Sequence, residues 1–560
     1  MVRGTPALAA LRRAGTAARR IAVMPPVVER WMLVAGASML ALLSAMPGPG
    51  TAASGLLACG AWVCLLAAVR RRPAPPGRGA APVASAAWGT WVDAAAFAAP
   101  GAFLLGLWPQ TRTPLFLSEE QAAAHILVLG PSGSGKTAGV IAPNVLQRDP
   151  DRESLVVLDV KTGPRSLWNA TAGRYGARAH LFCPLFEGSV GYNPLHEIES
   201  IGAAQRKAWL LVHNTTPRDL SGDAWVYAAA AADLASLLFL HVQQDRPTGG
   251  HTVGAVYRLL LGGLGCVRET LRGSRIDEVR ELAGTFAARE RRVQEAAITG
   301  LLQRLAPWAD RLVCEATSRH WDLGRLGREP VALYILLPED EADRLQPLVA
   351  WLVADLLDGL TEQADRTGLR YPVRMYLDEF RRFGYLAGLS DRLPTLRERG
   401  ISVLLGVQVL SQLEEVYGVR GARTLVGNAE TKLVFRAGDL DTARMVSAWL
   451  GRTSVPAISA TRRGRWDRST TVRPHVRPLA PAEDLTRLPD RALIVLSGGS
   501  RPLLVRQARY FEIPGLAVPP PPFPLRRRGA RELAVHAQTR PARVRASRPS
   551  PPRPAGGVRP

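Results

Sequence analysis

The chain has 560 residues, of which 47% are hydrophobic and 21% are charged, so it can bury a large core and is not a disordered protein overall. Its 71 Lys and Arg residues outnumber 48 Asp and Glu residues, and the net charge of +23 predicts acidic partners, either nucleic acid or anionic lipid. The five cysteines show no CxxC pair and no ligand spacing, which excludes a disulfide-built secreted fold and a zinc ribbon. Aromatic residues make up only 6%, which argues against base-stacking platforms as the main nucleic-acid contact.

Two uncharged segments follow a basic N-terminal region, residues 1–26. They cover residues 31–46 and 52–69, and each is about long enough to span a bilayer if the first begins near residue 27. Arginines flank the outer ends of the pair and none lies between the two segments, so the positive-inside rule places both chain ends in the cytoplasm. The sequence therefore predicts a transmembrane hairpin over residues 27–72 and a linker over 73–84. The alternative is a cleaved signal peptide.

A phosphate-binding motif follows a short apolar segment, His125–Leu129, which is typical of a buried parallel strand. The motif is a complete GxxxxGK[ST] match formed by Gly130, Pro131, Ser132, Gly133, Ser134, Gly135, Lys136 and Thr137. Its glycines let backbone N–H groups surround phosphates, Lys136 would reach the β- and γ-phosphates, and the Thr137 hydroxyl would bind magnesium. The sequence therefore predicts an α/β P-loop domain that binds a nucleoside triphosphate with Mg²⁺; the alternative is a glycine-rich turn.

The partner motif of a P-loop is an apolar strand that ends in an acidic residue. The segment Val373–Phe380 fits this description, although Arg374 interrupts its apolar character. Asp378 would hold the magnesium ion, and Glu379 would polarise the attacking water. A structural role for the two acids is the alternative.

Four further residues are candidates for the same site. Gln408 ends the apolar segment Ile401–Val407 and is interpreted as a γ-phosphate sensor, with a solvated strand end as the alternative. Lys161 follows another apolar strand and lies either in the nucleotide crevice or in a salt-bridged turn. Arg397 and Arg399 are candidates for an arginine finger that acts across a subunit interface, unless they are ordinary surface arginines.

The P-loop lysine and the acidic strand are 242 positions apart, too far for one compact P-loop sheet without an insertion. Residues 197–328 show helical periodicity and little strand signal, which predicts an inserted all-α domain. One apolar stretch in this region, 224–242, is interpreted as a buried core helix and not as a membrane span. The nucleotide-binding domain then comprises residues 85–196 and 329–515.

The C-terminal region, residues 516–560, is predicted to be a disordered Pro/Arg-rich tail. Residues 521–560 contain ten arginines and one acid, so this segment supplies nine of the 23 excess positive charges. Such a composition cannot bury enough apolar surface to fold by itself. DNA and anionic lipid head groups are both possible partners.

In order and spacing, several short motifs resemble those of the TraG-type coupling proteins of type IV secretion, which are conjugative DNA-transfer ATPases. The resemblance runs from about residue 27 to residue 513. Its most specific stretches are Ile141–Asn144, Tyr192–Leu195, Leu377–Phe380, Gly406–Gln408 with Ser411–Leu413, and Asp441–Ala443 with Leu450–Gly451.

The resemblance implies a RecA-like P-loop domain with an inserted all-α domain behind a two-helix transmembrane hairpin. It further implies a homohexamer at the bacterial inner membrane, docked on a type IV secretion channel. The activity it implies is ATP- and Mg²⁺-dependent transfer of single-stranded DNA with an attached relaxase, or of protein effectors. Two departures stand out: the stretch Asp159–Gly163 lacks the family's usual acidic member, and the loop between the two spans is only a few residues long.

Two other functions remain open on the sequence. One is a substrate receptor, in which the helical insertion recognises protein cargo and ATP only gates its hand-over. The other is a DNA pump for chromosome segregation or phage packaging, which fits the helical insertion and the Tyr192–Leu195 stretch less well.

Overall fold

In the computed structural model, the described residues are 84–216, 224–245, 251–386, 388–463, 467–514 and 516–528. The predicted basic N-terminus, the transmembrane hairpin and nearly all of the linker lie outside the described residues, as do residues 529–560 of the predicted tail.

The described residues form thirteen β-strands. These are β1 Phe103–Leu107, β2 Pro114–Leu117, β3 His125–Leu129, β4 Ser154–Asp159, β5 Ala179–Phe182, β6 Ala332–Leu336, β7 Val373–Leu377, β8 Ile401–Val407, β9 Ala429–Val434, β10 Arg452–Arg463, β11 Asp467–Pro478, β12 Ala492–Ser497 and β13 Leu503–Arg506. Eleven of them form one sheet in the order β2-β1-β13-β12-β9-β3-β8-β7-β4-β6-β5, and β10 and β11 form a separate antiparallel hairpin.

The helices accompany this sheet in chain order. They are α1 Trp91–Ala94, α2 Glu119–Ala123, α3 Ala142–Leu146, α4 Leu167–Thr171, α5 Ile201–Asn214, α6 Ala224–Gln244, α7 Val253–Leu261, α8 Gly263–Arg272, α9 Asp277–Ala287, α10 Arg291–Arg304, α11 Arg311–Ala316, α12 Arg325–Arg328, α13 Ala342–Thr367, α14 Leu389–Leu396, α15 Ser411–Asn428, α16 Leu440–Leu450 and α17 Ala482–Leu485. A wider π-helical turn, Thr137–Ile141, leads from the P-loop into α3.

The centre of the sheet is parallel, from β9 through β3, β8, β7, β4 and β6 to β5. Every residue of β3, β4, β7 and β8 is buried, because helices cover both faces of a parallel sheet and favour continuous apolar strands. β3, β8, β7 and β4 are consecutive neighbours, so the segments that follow them emerge side by side at one edge. Polar residues at these four strand ends are thereby brought together.

Arg374, which interrupts the apolar character of β7 in the sequence, belongs to a buried polar cluster at the opposite edge of the sheet. Its Nε donates to Glu153 Oε2 at 3.1 Å, and its Nη1 donates to Ser402 Oγ at 3.0 Å. Arg148 forms a second ion pair with Glu153, at 3.3 Å. The guanidinium charge is therefore balanced inside the protein, as a buried ion needs to be.

The helices α5 to α12 lie between β5 and β6, which are neighbours in the sheet. α6 is the one described helix long and apolar enough to cross a membrane, but 61% of its most apolar window is buried within the fold. This burial agrees with its interpretation as a core helix. The sheet is continuous across the insertion, because β5 and β6 pair in parallel at Ala179 and Ala332.

The first part of the predicted disordered tail is ordered. We call residues 516–528 the C-terminal strap. The Phe523 ring lies 4.8 Å from the Trp168 ring, and Trp168 Nε1 donates to the Phe523 carbonyl at 3.0 Å. Further along, Arg527 forms ion pairs with Asp340 and Glu341. Composition alone does not predict these contacts of the strap, because they depend on a single aromatic residue and on partners far away in the sequence.

Candidate nucleotide-binding site

The P-loop surrounds its own lysine. The Lys136 side chain is buried, and its Nζ donates to the carbonyls of Gly130 at 2.6 Å and Pro131 at 3.2 Å. Burial lowers the pKa of Lys136, while the carboxylates of Glu379 and Asp378 oppose that shift. The ammonium is thus held at the place where phosphates would supply the missing counter-charge.

Glycine is required at two turns of this loop. Gly133 has φ +78° and Gly135 has φ +96°, both in the region that favours glycine. A Cβ atom at Gly130 would lie 2.7 Å from the Cβ of Phe435, so this position also needs glycine for close packing. The loop therefore folds into a compact, N–H-lined cradle of the kind that binds phosphate.

The predicted magnesium ligands are in direct contact. Thr137 Oγ1 donates to Asp378 Oδ2 at 2.5 Å, and Asp378 is fully buried. Lys161 Nζ lies 3.1 Å from Thr137 Oγ1 and 3.7 Å from Asp378 Oδ2. A hydroxyl and a carboxylate oxygen are hard ligands that suit Mg²⁺, so this pair fits the ion. Lys161 thus lies in the nucleotide crevice and also forms a salt bridge, so the two alternatives predicted for it are both present.

The second acid of the motif pairs with the predicted sensor. Gln408 Nε2 donates to Glu379 Oε2 at 2.5 Å. Glu379 adopts a left-handed backbone conformation, φ +52°, which is uncommon for a residue other than glycine. A Cβ atom at Gly406 would lie 3.1 Å from Asp378 Oδ1, so glycine in β8 permits the close approach of the acidic strand end.

Asp159, at the end of β4, is a buried acid of the site that the sequence did not single out. Its carboxylate accepts hydrogen bonds from the backbone N–H of Leu167 at 2.7 Å and of Lys161 at 3.0 Å. Burial, together with the charge of Asp378, raises the pKa of Asp159 to about 7. Its hydrogen bonds fix the turn that carries Lys161 to the P-loop.

The two candidate arginine-finger residues lie elsewhere in their own chain. Arg399 forms a bidentate ion pair with Asp365, at 2.7 and 3.1 Å, and Arg397 pairs with Glu430 at 3.1 Å. Both arginines precede the amino end of β8, whereas the P-loop lies at the carboxyl ends of the parallel strands. The fold therefore does not bring either residue to the nucleotide site of the same chain.

A cleft of about 770 Å³ lies at the P-loop, a volume typical of small-molecule sites. Its lining includes Lys136, Thr137, Lys161 and Glu379, together with the segment Arg509–Phe511. The sequence does not predict a role for this last segment, because it follows β13 without any motif, more than 370 residues after the P-loop. Only the return of the chain along the antiparallel side of the sheet places it there.

The chain is similar in sequence to proteins of conjugative DNA transfer. The family model for type IV secretory system conjugative DNA transfer matches residues 91–539. VirD4 of Rhizobium rhizogenes is 24% identical over 399 residues, which cover 69% of this chain and 58% of that protein. A conjugal transfer protein TraG of Escherichia coli is 26% identical over 423 residues, which cover 69% and 65%. The chain thus spans less than two thirds of the length of these curated relatives.

Solved structures show the same fold. The bacterial conjugative coupling protein TrwB superposes with a TM-score of 0.56 and 20% identity, over 75% of this chain and 91% of that one. TrwB in complex with the ATP analogue ADPNP superposes with a TM-score of 0.55 and 19% identity, over 73% and 90%. The predicted α/β P-loop fold is confirmed by this likeness.

Proposed function

Because the chain belongs to the type IV secretory system conjugative DNA transfer family, we propose that it is a coupling ATPase that delivers single-stranded DNA with its relaxase, or protein effectors, to a secretion channel. The observation that carries the proposal is the convergence of Thr137, Asp378, Glu379 and Gln408 beside the P-loop. Relatives named as conjugal transfer proteins, and a structural neighbour in complex with ADPNP, support a nucleotide-binding role in DNA transfer.

The P-loop would bind the triphosphate. Lys136 would exchange its two backbone carbonyl partners for phosphate oxygens, which restores the counter-charge that its burial removes. Thr137 and Asp378 would hold the Mg²⁺ ion, which neutralises phosphate charge when it is bound. Lys161, beside both residues, adds a second positive charge to the same end of the cleft.

Glu379 would act as the general base. Its Oε2 accepts a hydrogen bond from the Gln408 amide. This oxygen would receive the proton of an attacking water once that amide turned towards the phosphate. Gln408 would in this way couple the presence of the γ-phosphate to the availability of the base. A residue that contacts the base and could also reach the phosphate is well suited to act as a sensor.

The remaining features are proposed from the sequence and the family together. Residues 27–72 would anchor the protein in the bacterial inner membrane, with both termini and the ATPase domain in the cytoplasm. Six copies would form a ring in which Arg399 of one subunit serves the nucleotide site of the next, after it releases Asp365. Basic surface in such a ring suits a DNA backbone.

ATP hydrolysis by the full chain in lipid nanodiscs, with and without single-stranded DNA, tests the proposal. We expect Mg²⁺-dependent hydrolysis that DNA stimulates and that Lys136→Ala abolishes. A chain that ends at residue 528 keeps the strap but removes most of the polycationic tail, so stimulation that survives this truncation comes from the folded part. Hydrolysis indifferent to DNA would favour a receptor for protein cargo, and no hydrolysis at all would contradict the proposal.

A further inference from the structure

The lining of the nucleotide cleft includes part of an aromatic turn, which we define as Tyr510–Glu512. Two aromatic residues stand in series there: the Tyr510 and Phe511 rings are 5.2 Å apart and nearly perpendicular, at 80°. Both line the cleft that the P-loop also lines. The turn also contacts the π-helical turn that follows the P-loop. An aromatic surface thus faces the same space as the phosphate-binding residues.

The turn is held in place from two sides. Arg491 forms a bidentate ion pair with Glu512, at 2.9 and 2.8 Å. On the other side, the flanking residues Ala508 and Ile513 pack in a small apolar cluster with Leu104 and Phe116. Because the aromatic residues belong to a turn that is already fixed, the protein loses little conformational entropy when a ligand binds to them.

Phe511 in the turn and Arg509 just before it are both incompletely satisfied by contacts within the described part of the chain. Phe511 is 61% exposed, although an aromatic side chain of this size gains most when it is covered. Arg509 forms no ion pair with any residue that the structure describes, and its Nε is buried without a hydrogen-bond partner. An exposed aromatic ring beside an uncompensated cation suits a flat, aromatic and anionic ligand.

We infer that Phe511, supported by Tyr510, is the stacking surface for the base of the bound nucleotide, and that Arg509 meets its sugar–phosphate part. The inference rests on the nucleotide-binding function proposed above. Stacking uses the π-face that every base has and reads no hydrogen-bonding edge. The site therefore accepts adenine and guanine alike, and its contribution is absent for an inorganic triphosphate.

Calorimetric titration of the full chain in nanodiscs tests this with three ligands, each with Mg²⁺: ATP, GTP and inorganic triphosphate. Phe511→Ala should weaken ATP and GTP binding about tenfold, as expected for the loss of one stacked base, and should leave triphosphate binding unchanged. Phe511→Trp should keep the affinity for both nucleotides. Trp225→Ala removes another exposed aromatic, 65% exposed on α6, and should change none of the three affinities.

The outcomes separate this inference from the proposed function. If Phe511→Ala binds ATP like the wild type, or loses triphosphate binding equally, the base does not stack on Phe511 and the inference is wrong. Lys136→Ala should weaken all three ligands. If wild type binds neither ATP nor triphosphate, the nucleotide site itself fails, and the base subsite fails with it.

Discussion

Gln408 and Glu379, which follow neighbouring strands of the parallel sheet and lie 29 positions apart, share a 2.5 Å hydrogen bond between amide and carboxylate. The bond engages one carboxylate oxygen of Glu379, the residue that we propose as the general base. Gln408 also lies level with the start of the P-loop, through the pairing of Val407 with Leu129. We therefore expect this pair to respond to bound nucleotide.

The first prediction separates the two residues kinetically. Glu379→Gln removes the base and should lower kcat by about 10²–10⁴ while it leaves the Kd of ATP nearly unchanged, because Lys136 and Thr137 bind the phosphates. Gln408→Ala should lower kcat less, since the base remains but is no longer positioned. Steady-state hydrolysis and calorimetric binding on the same preparations measure both quantities.

The control for this pair is Gln205→Ala, an exposed glutamine on α5 far from the cleft, which should match the wild type. If Gln408→Ala weakens ATP binding as strongly as it lowers kcat, the amide serves binding and is not a sensor.

A second prediction concerns the contact of Gly406 with Asp378. Gly406→Ala places a methyl group 3.1 Å from Asp378 Oδ1, so the carboxylate must shift slightly, which disturbs the contact of its other oxygen with Thr137. We expect a higher Mg²⁺ concentration for half-maximal hydrolysis, which a magnesium titration at fixed ATP measures. Gly359→Ala in α13 is the matched control, because nothing lies within 4 Å of the added atom. It should leave the magnesium requirement unchanged and, as a helix substitution, add up to about 1 kcal/mol of stability.

Lys161 provides a third prediction, because its ammonium contacts both predicted magnesium ligands, Thr137 and Asp378. Lys161→Ala should weaken binding of Mg²⁺-ATP about tenfold, the usual order of effect for one charge-assisted contact to phosphate, whereas Lys161→Arg retains the charge and should retain most of the affinity. Titration of each variant with ATP at saturating magnesium gives the comparison. Equal affinities for the alanine variant and wild type would restrict Lys161 to the salt-bridged turn.

The sequence predicts that Lys136, Thr137 and Asp378 lie together, as they do in the structure, because they belong to motifs whose chemistry requires those residues in that order. It also places Gln408 correctly at a strand end beside the P-loop. It does not predict Asp159, whose role depends on two backbone N–H groups and not on a motif. It misses the aromatic turn for a different reason: only the path of β12 and β13 returns that segment to the cleft.

The difference between local motifs and long-range contacts also explains why the sequence does not predict the docking of the C-terminal strap. Residues 516–528 have the composition of a disordered segment, and local sequence contains no sign of Trp168, which lies 355 positions away from Phe523. The inserted helices are easier to predict, because helical periodicity is a local property. Long-range docking of one aromatic residue has no periodicity at all.

The fourth prediction follows from this docking. A chain that ends at residue 515 loses the Phe523–Trp168 contact and the Arg527 ion pairs, and it should melt at a lower temperature than a chain that ends at residue 528. Phe523→Ala in the full chain should lower stability by about 2 kcal/mol, since the ring is partly buried. Arg553→Ala, in the last residues of the tail, is the control. Equal melting temperatures for the two truncated chains would show that the strap contributes nothing to stability.

The last prediction concerns His320, where the helical insertion meets the nucleotide-binding domain. Its ring stacks on His196 with 4.2 Å between centroids. Burial lowers the pKa of His320 to about 4, helped by the charges of His196 and Lys207 and opposed by Asp355 and Asp322. The unfolded chain binds this proton near pH 6.5, whereas the folded chain resists it until about pH 4. Stability should therefore fall as the pH decreases from about 6.5 to 4.

His320→Phe keeps a stacked ring but cannot take up a proton, so its stability should fall less over the same pH range. Thermal melting of the two proteins at pH 7, 6, 5 and 4 measures the difference. The substitution also removes a buried Nδ1 that has no hydrogen-bond partner, so the variant should be at least as stable as the wild type at the low end of the range. His475→Phe, at an exposed position of the β10–β11 hairpin, should leave the pH dependence unchanged. A variant as acid-sensitive as the wild type would mean that other groups control unfolding in this window.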